Sequence, residues 1–395
     1  MTKEDFNDRE RLIAFRRHFH RHPELSWKEY ETQKFIIGKL EEVHIPYVKA
    51  AGTGVIAVIR GRNCEKPGNT KKKVLGIRAD IDALPVDELS GCDFSSENPH
   101  ISHACGHDCH AAILLETALR LAAVRDELKM EVRLIFQPSE ECIEDSGAAH
   151  LFNEELVRSC SRMIGLHIWS KIEAGYASLR YGAVTASTDT FDIEIRGKGG
   201  HGAMPHQAAD LVAAGVHLVD EIYRANSREI HPLLPHVISV TAFLAGTTHN
   251  VIPDSAVIMG TARAFDRKIR EGYPKILDRL AKGVGEATRT DISVAYNYGP
   301  PPTENDAAAV ETGLRAAGKV FGKDHLIEFE PQMIGEDFAC YRNEKCFLFL
   351  GGGLAEEEKR YPQHSPYFEI DEKALELGVR YFLEYVREYS DEAGS

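Results

Sequence analysis

The sequence predicts an α/β protein: a sheet covered by helices on both faces, with a smaller ferredoxin-like α+β domain inserted into it. Three observations carry this. Between residues 54 and 167, short apolar strands alternate with helical segments, the order of a sheet wrapped on both sides. Near residue 186 the pattern changes to alternating, half-buried strands and two helices in the order β-α-β-β-α-β, which runs to residue 298. The 395 residues are also too many for one ordinary domain. The expected division is 1–186 for the first part of the main domain, 187–298 for the insertion and 299–395 for the second part.

Taken in order, residues 5–22 read as a helix closed by Pro23. Its end carries His18, His20 and His22 beside arginines, a run that points to a structural or solvated role. Residues 29–42 form a second amphipathic helix, and GVIAVIR (54–60) and VLGIRA (74–79) read as strands. The run AAILLETALRLAA (111–123) is helical, with Asp108 at the expected N-cap and the helix starting at about Cys109. Strands at 131–136 and 162–167 flank a helix near 146–158. In the insertion, strands at 190–196, 237–243, 256–265 and 291–298 accompany helices at about 208–225 and 267–289. A helix at 304–321, a strand at 347–350 and a helix at 371–389 complete the chain. It has no internal repeat and no low-complexity tract.

Composition bounds the function. A 43% hydrophobic content supplies a full core, and the net charge of −14 argues against nucleic acid or anionic membrane as partners. The nearest basic cluster, Lys71 to Lys73, reads as a solvated loop. The start, MTKEDFNDRERL, is no signal peptide, and no apolar run approaches a membrane span. Eight cysteines without regular spacing favour a reducing cytoplasm, where thiols serve metals or packing.

Chemistry gathers at one sheet edge. Asp80, Asp82, Glu140, Glu141 and His167 all fall at or just after the end of an expected strand. Open α/β sheets place ligands outside the carboxyl ends of their strands. The stretch HACGHDCH (103–110) adds His103, Cys105 and His107, which in an extended segment point the same way. A thiolate and imidazoles beside a glycine suit a transition metal. With Cys105, His107, one or both of Glu140 and Glu141, His167 and His364, the donors exceed what one tetrahedral ion needs. A pair of ions about 3.5–4 Å apart fits better. Adjacent residues of extended chain face opposite ways, so Glu140 and Glu141 divide the work: one holds metal, the other faces the attacking water. Spacing alone does not say which is which.

At this point the chain resembles a known family. RHPELSWKEYET (21–32), RADIDALPVDE (78–88), HACGHDCHAA (103–112), FQPSEE (136–141), LHIW (166–169), GKGGHGAMPH (197–206), NVIPDSAVIMGTARAFD (250–266), GEDFACY (335–341) and HSPYF (364–368) occur in order over nearly the whole length. They resemble the metallo-amidohydrolases of the aminoacylase and carboxypeptidase G superfamily, in the branch of hippurate hydrolases, N-acyl-amino-acid amidohydrolases and auxin-conjugate hydrolases.

The resemblance implies a zinc-peptidase-like main domain with a mixed sheet, and an inserted lid and homodimerisation domain. It implies Cys105, His107, Glu141, His167 and His364 as ligands of two divalent ions, with Cys105 bridging, and Glu140 as general base. Manganese or zinc is favoured on ligand chemistry, and nickel or cobalt is also compatible. His201 matches the lid histidine that steadies the oxyanion; Asn250 and Arg263 match residues that bind the substrate. Asp80 and Asp82 match the first acidic motif, where orienting a ligand is the expected task. Asp108 is read as a helix cap and His110 as structural. Two departures stand out. Cys142 to Gly147 replaces a glycine-rich stretch near the metals, and Cys109 replaces a common glycine. The implied activity is hydrolysis of the amide bond of N-acyl-amino acids or related conjugates to a carboxylic acid and a free amino acid. The alternatives are a dipeptidase or carboxypeptidase on the same scaffold, and a non-catalytic metal-binding module.

Overall fold

The computed structural model describes residues 3–61 and 73–392. Cys64, Lys71 and Lys72 therefore lie outside the described residues. The chain forms two compact units. One comprises Met1–Val184, Glu304–Glu330 and Asp337–Ser395; the other comprises Thr185–Thr303 and Pro331–Glu336. Against the expected 187–298, the second unit runs over Thr185–Thr303 and also takes six residues, Pro331–Glu336, that the sequence reading assigns to the main domain.

The first unit is built on a seven-stranded mixed sheet. Its strands run Tyr47–Ala50, Gly54–Arg60, Glu131–Gln137, Val74–Asp80, Arg162–Glu173, Glu344–Gly353 and Ala177–Ser178 from edge to edge. The four from Glu131–Gln137 to Glu344–Gly353 are mutually parallel, and the flanking pairs are antiparallel. Alternate side chains serve opposite faces, as the pleat requires. Leu134, Ile164, Leu166, Leu348 and Leu350 join one core, under helices His107–Ala123, Ala307–Phe321 and Lys373–Asp391. Ile135, Met163, Phe347 and Phe349 join the other, with Leu151, Phe338 and Tyr341. Every residue of Val74–Asp80 is buried, which accounts for the apolar run Val74 to Ile77 and for the cost of placing Arg78 and Asp80 there.

Three local expectations are corrected. The helix after the HACGHDCH stretch spans His107–Ala123, with Gly106 rather than Asp108 at its N-cap. The helix near 146–158 is two short pieces, Gly147–Leu151 and Glu155–Arg158, each preceded by its own extended cap residue, Ser146 and Glu154. His167 is not a strand end. Its strand continues to Glu173 because Ile168 and Trp169 go on pairing with Leu350 and Gly351.

The second unit has a four-stranded antiparallel sheet in the order His236–Ala245, Ser255–Ala264, Asp189–Arg196, Asp291–Asn297. Helices Leu211–Glu229 and Arg267–Thr288 supply the remaining elements of the ferredoxin-like order. The strand Asp189–Arg196 alternates buried with less buried residues, the period-2 signal read from sequence. Both helices start on aspartate caps: Asp210 accepts from the Ala213 N–H, and Asp266 from those of Lys268 and Ile269. Among the described residues no helix is long and apolar enough to cross a membrane.

Candidate metal centre

The carboxyl ends of the parallel strands deliver the site. Asp80 is the last residue of its strand, Glu140 and Glu141 follow Glu131–Gln137, and His364 follows Glu344–Gly353. Cys105 and His107 flank Gly106, which adopts φ +90°. A Cβ at Gly106 would lie 2.5 Å from Ile168 Cγ2, so both the turn and the close approach require glycine. The segment is therefore a turn, closed by the Gly106 N–H donating to the His103 carbonyl at 3.2 Å, and not the extended stretch expected. His103 tilts against His20, with ring centroids 6.5 Å apart, and neither of its ring nitrogens has a hydrogen-bond partner among the described residues.

Two sets of donor atoms share Cys105. One is Cys105, His107 and His167; the other is Cys105, Glu141 and His364; within each set the atoms lie within 4.8 Å of one another. Cys105 Sγ is 3.4 Å from His167 Nε2, and Glu141 Oε1 is 3.4 Å from His364 Nε2. Glu140 Oε2 and Glu141 Oε1 are each 3.8 Å from His107 Nε2. Donors around one tetrahedral ion with bonds near 2.0–2.3 Å stand about 3.3–3.8 Å apart. His107 Nε2 and Glu141 Oε1 are also buried without a hydrogen-bond partner among the described residues. Orphaned acceptors of this kind are costly unless something binds them. The donor set and its spacing fit divalent cations.

The other ring nitrogens are already committed. His107 Nδ1 lies 3.0 Å from the Asp82 carbonyl and 3.3 Å from Asp82 Oδ1. His167 Nδ1 lies 2.7 Å from the Ile168 carbonyl. Donation from Nδ1 leaves each Nε2 lone pair for a metal. Asp82 Oδ2 accepts from the Glu141 N–H at 3.0 Å and the Ser26 hydroxyl at 2.7 Å, so one carboxylate touches both a histidine and the glutamate loop. Asp80 is held by Arg78 Nη1 and His110 Nδ1, each at 2.6 Å. His110 Nε2 in turn accepts the Ile168 N–H at 2.8 Å. His110 thus ties the residue after His167 to Asp80, a task beyond packing. Arg78 also binds Asp337 Oδ1 at 2.8 Å and Gln137 Oε1 at 2.8 Å. Arg78, Gln137 and Asp337 lie inside the motifs at 78–88, 136–141 and 335–341 but receive no role in the sequence reading; an arginine inside an otherwise apolar strand is the available signal.

Electrostatics follow from burial. Burial, then the nearby Glu141 carboxylate, pushes the Cys105 thiol well above its ordinary range, so a thiolate there needs a cation beside it. Burial, reinforced by His110, holds His167 well below its usual value and hence neutral, the form that ligates. Burial pushes Asp80 up, but Arg78, His107 and His110 outweigh it and keep the group ionised. Asp108 is not a cap: it is buried and pairs with Arg16 Nε and His20 Nδ1, each at 2.8 Å. His20 Nε2 is 2.9 Å from Glu88 Oε1, with Cys92 alongside. That second cluster spends both ring nitrogens on carboxylates, so it is an ion-pair network.

His201, Asn250 and Arg263 belong to the second unit. His201 pairs with Val251 across a short ribbon, and the Asn250 carbonyl accepts the Gly202 N–H at 2.8 Å, which keeps His201 and Asn250 adjacent. Both are exposed. Arg263 is half-buried on Ser255–Ala264, with Nη1 lacking a hydrogen-bond partner among the described residues.

The model of peptidase family M20/M25/M40 matches residues 76–388. The chain is 40% identical over 310 residues to an N-acyl-L-amino acid amidohydrolase of Geobacillus stearothermophilus, covering 77% of this chain and 82% of that one. It is 37% identical over 378 residues to an N-acetylcysteine deacetylase of Bacillus subtilis, covering 95% of each. Among solved structures it is similar to the Bacillus subtilis YXEP protein, a dinuclear metal-binding M20 peptidase. The TM-score is 0.82, at 34% identity, over 96% of this chain and 98% of that one.

Proposed function

This chain belongs to peptidase family M20/M25/M40, and from that premise we propose that it is a dinuclear metal-dependent amidohydrolase acting on N-acyl-amino acids or related amino-acid conjugates. The observation that carries the reading is the sharing of Cys105 between two donor sets, with Glu140 beside them. Cys105, His107, Glu141, His167 and His364 would hold the ions. Bound divalent ions supply Lewis acidity, polarising the acyl carbonyl and bringing the pKa of water towards ~7.

The chain's own residues do the rest. Glu140 takes the proton of the attacking water and returns it to the leaving amine nitrogen. His201 donates to the developing oxyanion, an interaction typically worth roughly 3 kcal/mol. Arg263 offers a guanidinium fork to the carboxylate of the amino acid, and its unpartnered, buried Nη1 supports that role. Asn250 contributes a polar contact beside His201. The products are a carboxylic acid and a free amino acid. Thiolate and imidazole favour zinc and the carboxylate admits manganese, with nickel or cobalt also compatible. The seven described cysteines are all free, which supports a reducing cytoplasm. A second copy pairs through helix Leu211–Glu229 of the inserted unit, where Val212, Val216 and Tyr223 are exposed.

The test is a panel of acetyl-, benzoyl- and indoleacyl-amino acids against dipeptides, with zinc or manganese supplied. Acyl-amino acids are hydrolysed, and Glu140→Gln loses about 10²–10⁴-fold in kcat with its metal retained. Full activity in Glu140→Gln removes the base assignment. Preference for dipeptides favours a dipeptidase or carboxypeptidase, and inertness towards the whole panel favours a non-catalytic module.

A further inference from the structure

Glu29 is fully buried at the N-terminal edge of helix Tyr30–Glu42, yet its side chain makes no capping bond to that helix. It turns to the glutamate loop. Glu29 Oε1 accepts the Ser139 N–H at 2.9 Å and the Trp27 N–H at 3.1 Å, and Oε2 accepts the Thr53 hydroxyl. Ser139 stands immediately before Glu140 and has φ +51°, a left-handed conformation that a non-glycine residue keeps only when its surroundings impose it. On the other side of Glu140, the Glu141 N–H is held by Asp82. Glu140 therefore sits between two peptide N–H groups, each fixed by a buried carboxylate from a different segment. The same segment secures the loop again at Asp145, whose carbonyl accepts from Trp27 Nε1 and the Ser139 hydroxyl, each at 3.1 Å.

We infer that Glu29 is a positioning residue for Glu140, acting through the Ser139 N–H to hold the base at the angle that proton transfer needs. The inference rests on the reading of Glu140 as general base. Packing alone does not explain an acid here. Burial raises the Glu29 carboxyl, hydrogen bonds from Thr53 and the backbone offset part of that, and the nearby Asp82 adds repulsion, which together leave it at about 7. A neutral side chain would fill the space at lower cost. The acid earns its place through the acceptor oxygens it offers to the loop.

The experiment measures kcat, KM, metal content and melting temperature for Glu29→Ala, Glu29→Gln and Glu140→Gln on one acyl-amino acid. Glu29→Ala frees Ser139, and kcat falls by about tenfold to hundredfold while KM and metal content stay at wild-type levels. Glu29→Gln keeps an oxygen for the Ser139 N–H and restores kcat to within about threefold of wild type. The inference is overturned by Glu29→Ala retaining kcat within about threefold, by its kcat falling only together with metal content, or by Glu29→Gln being as slow as Glu29→Ala. If Glu29→Ala does not fold, Glu29→Asp, which withdraws the acceptor by one methylene, is judged on the same readings. Wild-type activity in Glu140→Gln removes the parent reading, whereas an inactive Glu140→Gln beside an unaffected Glu29→Ala removes only this one.

Discussion

His20 carries a buried positive charge between two carboxylates. Burial pulls its imidazole down, but Asp108, Cys92 and Glu88 together raise it to about 10. Burial pushes Glu88 up, but His20 and its other donors lower it to about 2. The signs are opposite. The raised His20 contributes its stability in full below its unfolded value near 6.5 and loses it as pH rises through about 10. The lowered Glu88 contributes above its unfolded value near 4.5 and loses it as pH falls through about 2. The wild-type melting temperature should therefore decline between pH 7 and pH 10 more steeply than that of His20→Gln. At pH 6 that variant should be less stable by about 3–5 kcal/mol, the cost of breaking a buried pair. Parallel melting curves across that range would show that the pairing contributes nothing. At this scale the sequence marks out Cys105, His107, Glu140, Glu141, His167 and His364 as candidates by donor type; strand-end position serves only the two glutamates, since Cys105 and His107 sit at a helix-opening turn and His167 lies inside its strand. It misreads Asp108 and His103 because the segment turns at Gly106, with φ +90° and the Gly106 N–H bonded to the His103 carbonyl, instead of running extended.

Elements follow the same logic. Strand and helix positions in the inserted unit are legible since period-2 alternation and aspartate caps are local signals. The break between Leu151 and Glu155 and the continuation of the strand past His167 depend on partners distant in sequence, so they are not. Helix Leu211–Glu229 presents Val212, Val216 and Tyr223 at spacings of four and seven, which places them on one exposed stripe. Nothing within the unit requires Val216 to be apolar at 58% exposure. Light scattering should give twice the chain mass for wild type and the single-chain mass for Val216→Glu, with circular dichroism unchanged. A wild type that scatters as a single chain, or a Val216→Glu that remains double, would overturn the proposed pairing through this helix.

At the scale of the whole molecule, the candidate metal centre gathers residues that span 105 to 364, which no local segment can assemble. Two mixed cores, one on each side of the seven-stranded sheet, fix the strand ends, and the strand ends fix the donors. Arg78, Asp80, His110 and Asp337 form a buried, hydrogen-bonded base beneath them. Metal binding to such a folded arrangement stabilises the whole chain through linkage, since the unfolded chain has no site to offer. The most direct test is anomalous diffraction from crystals grown with zinc, read at the zinc edge. The account predicts two peaks about 3.5–4 Å apart, both within about 2.5 Å of Cys105 Sγ, with His107, Glu141, His167 and His364 completing the coordination. A single peak, or two peaks that leave Cys105 outside bonding distance of either, would contradict it.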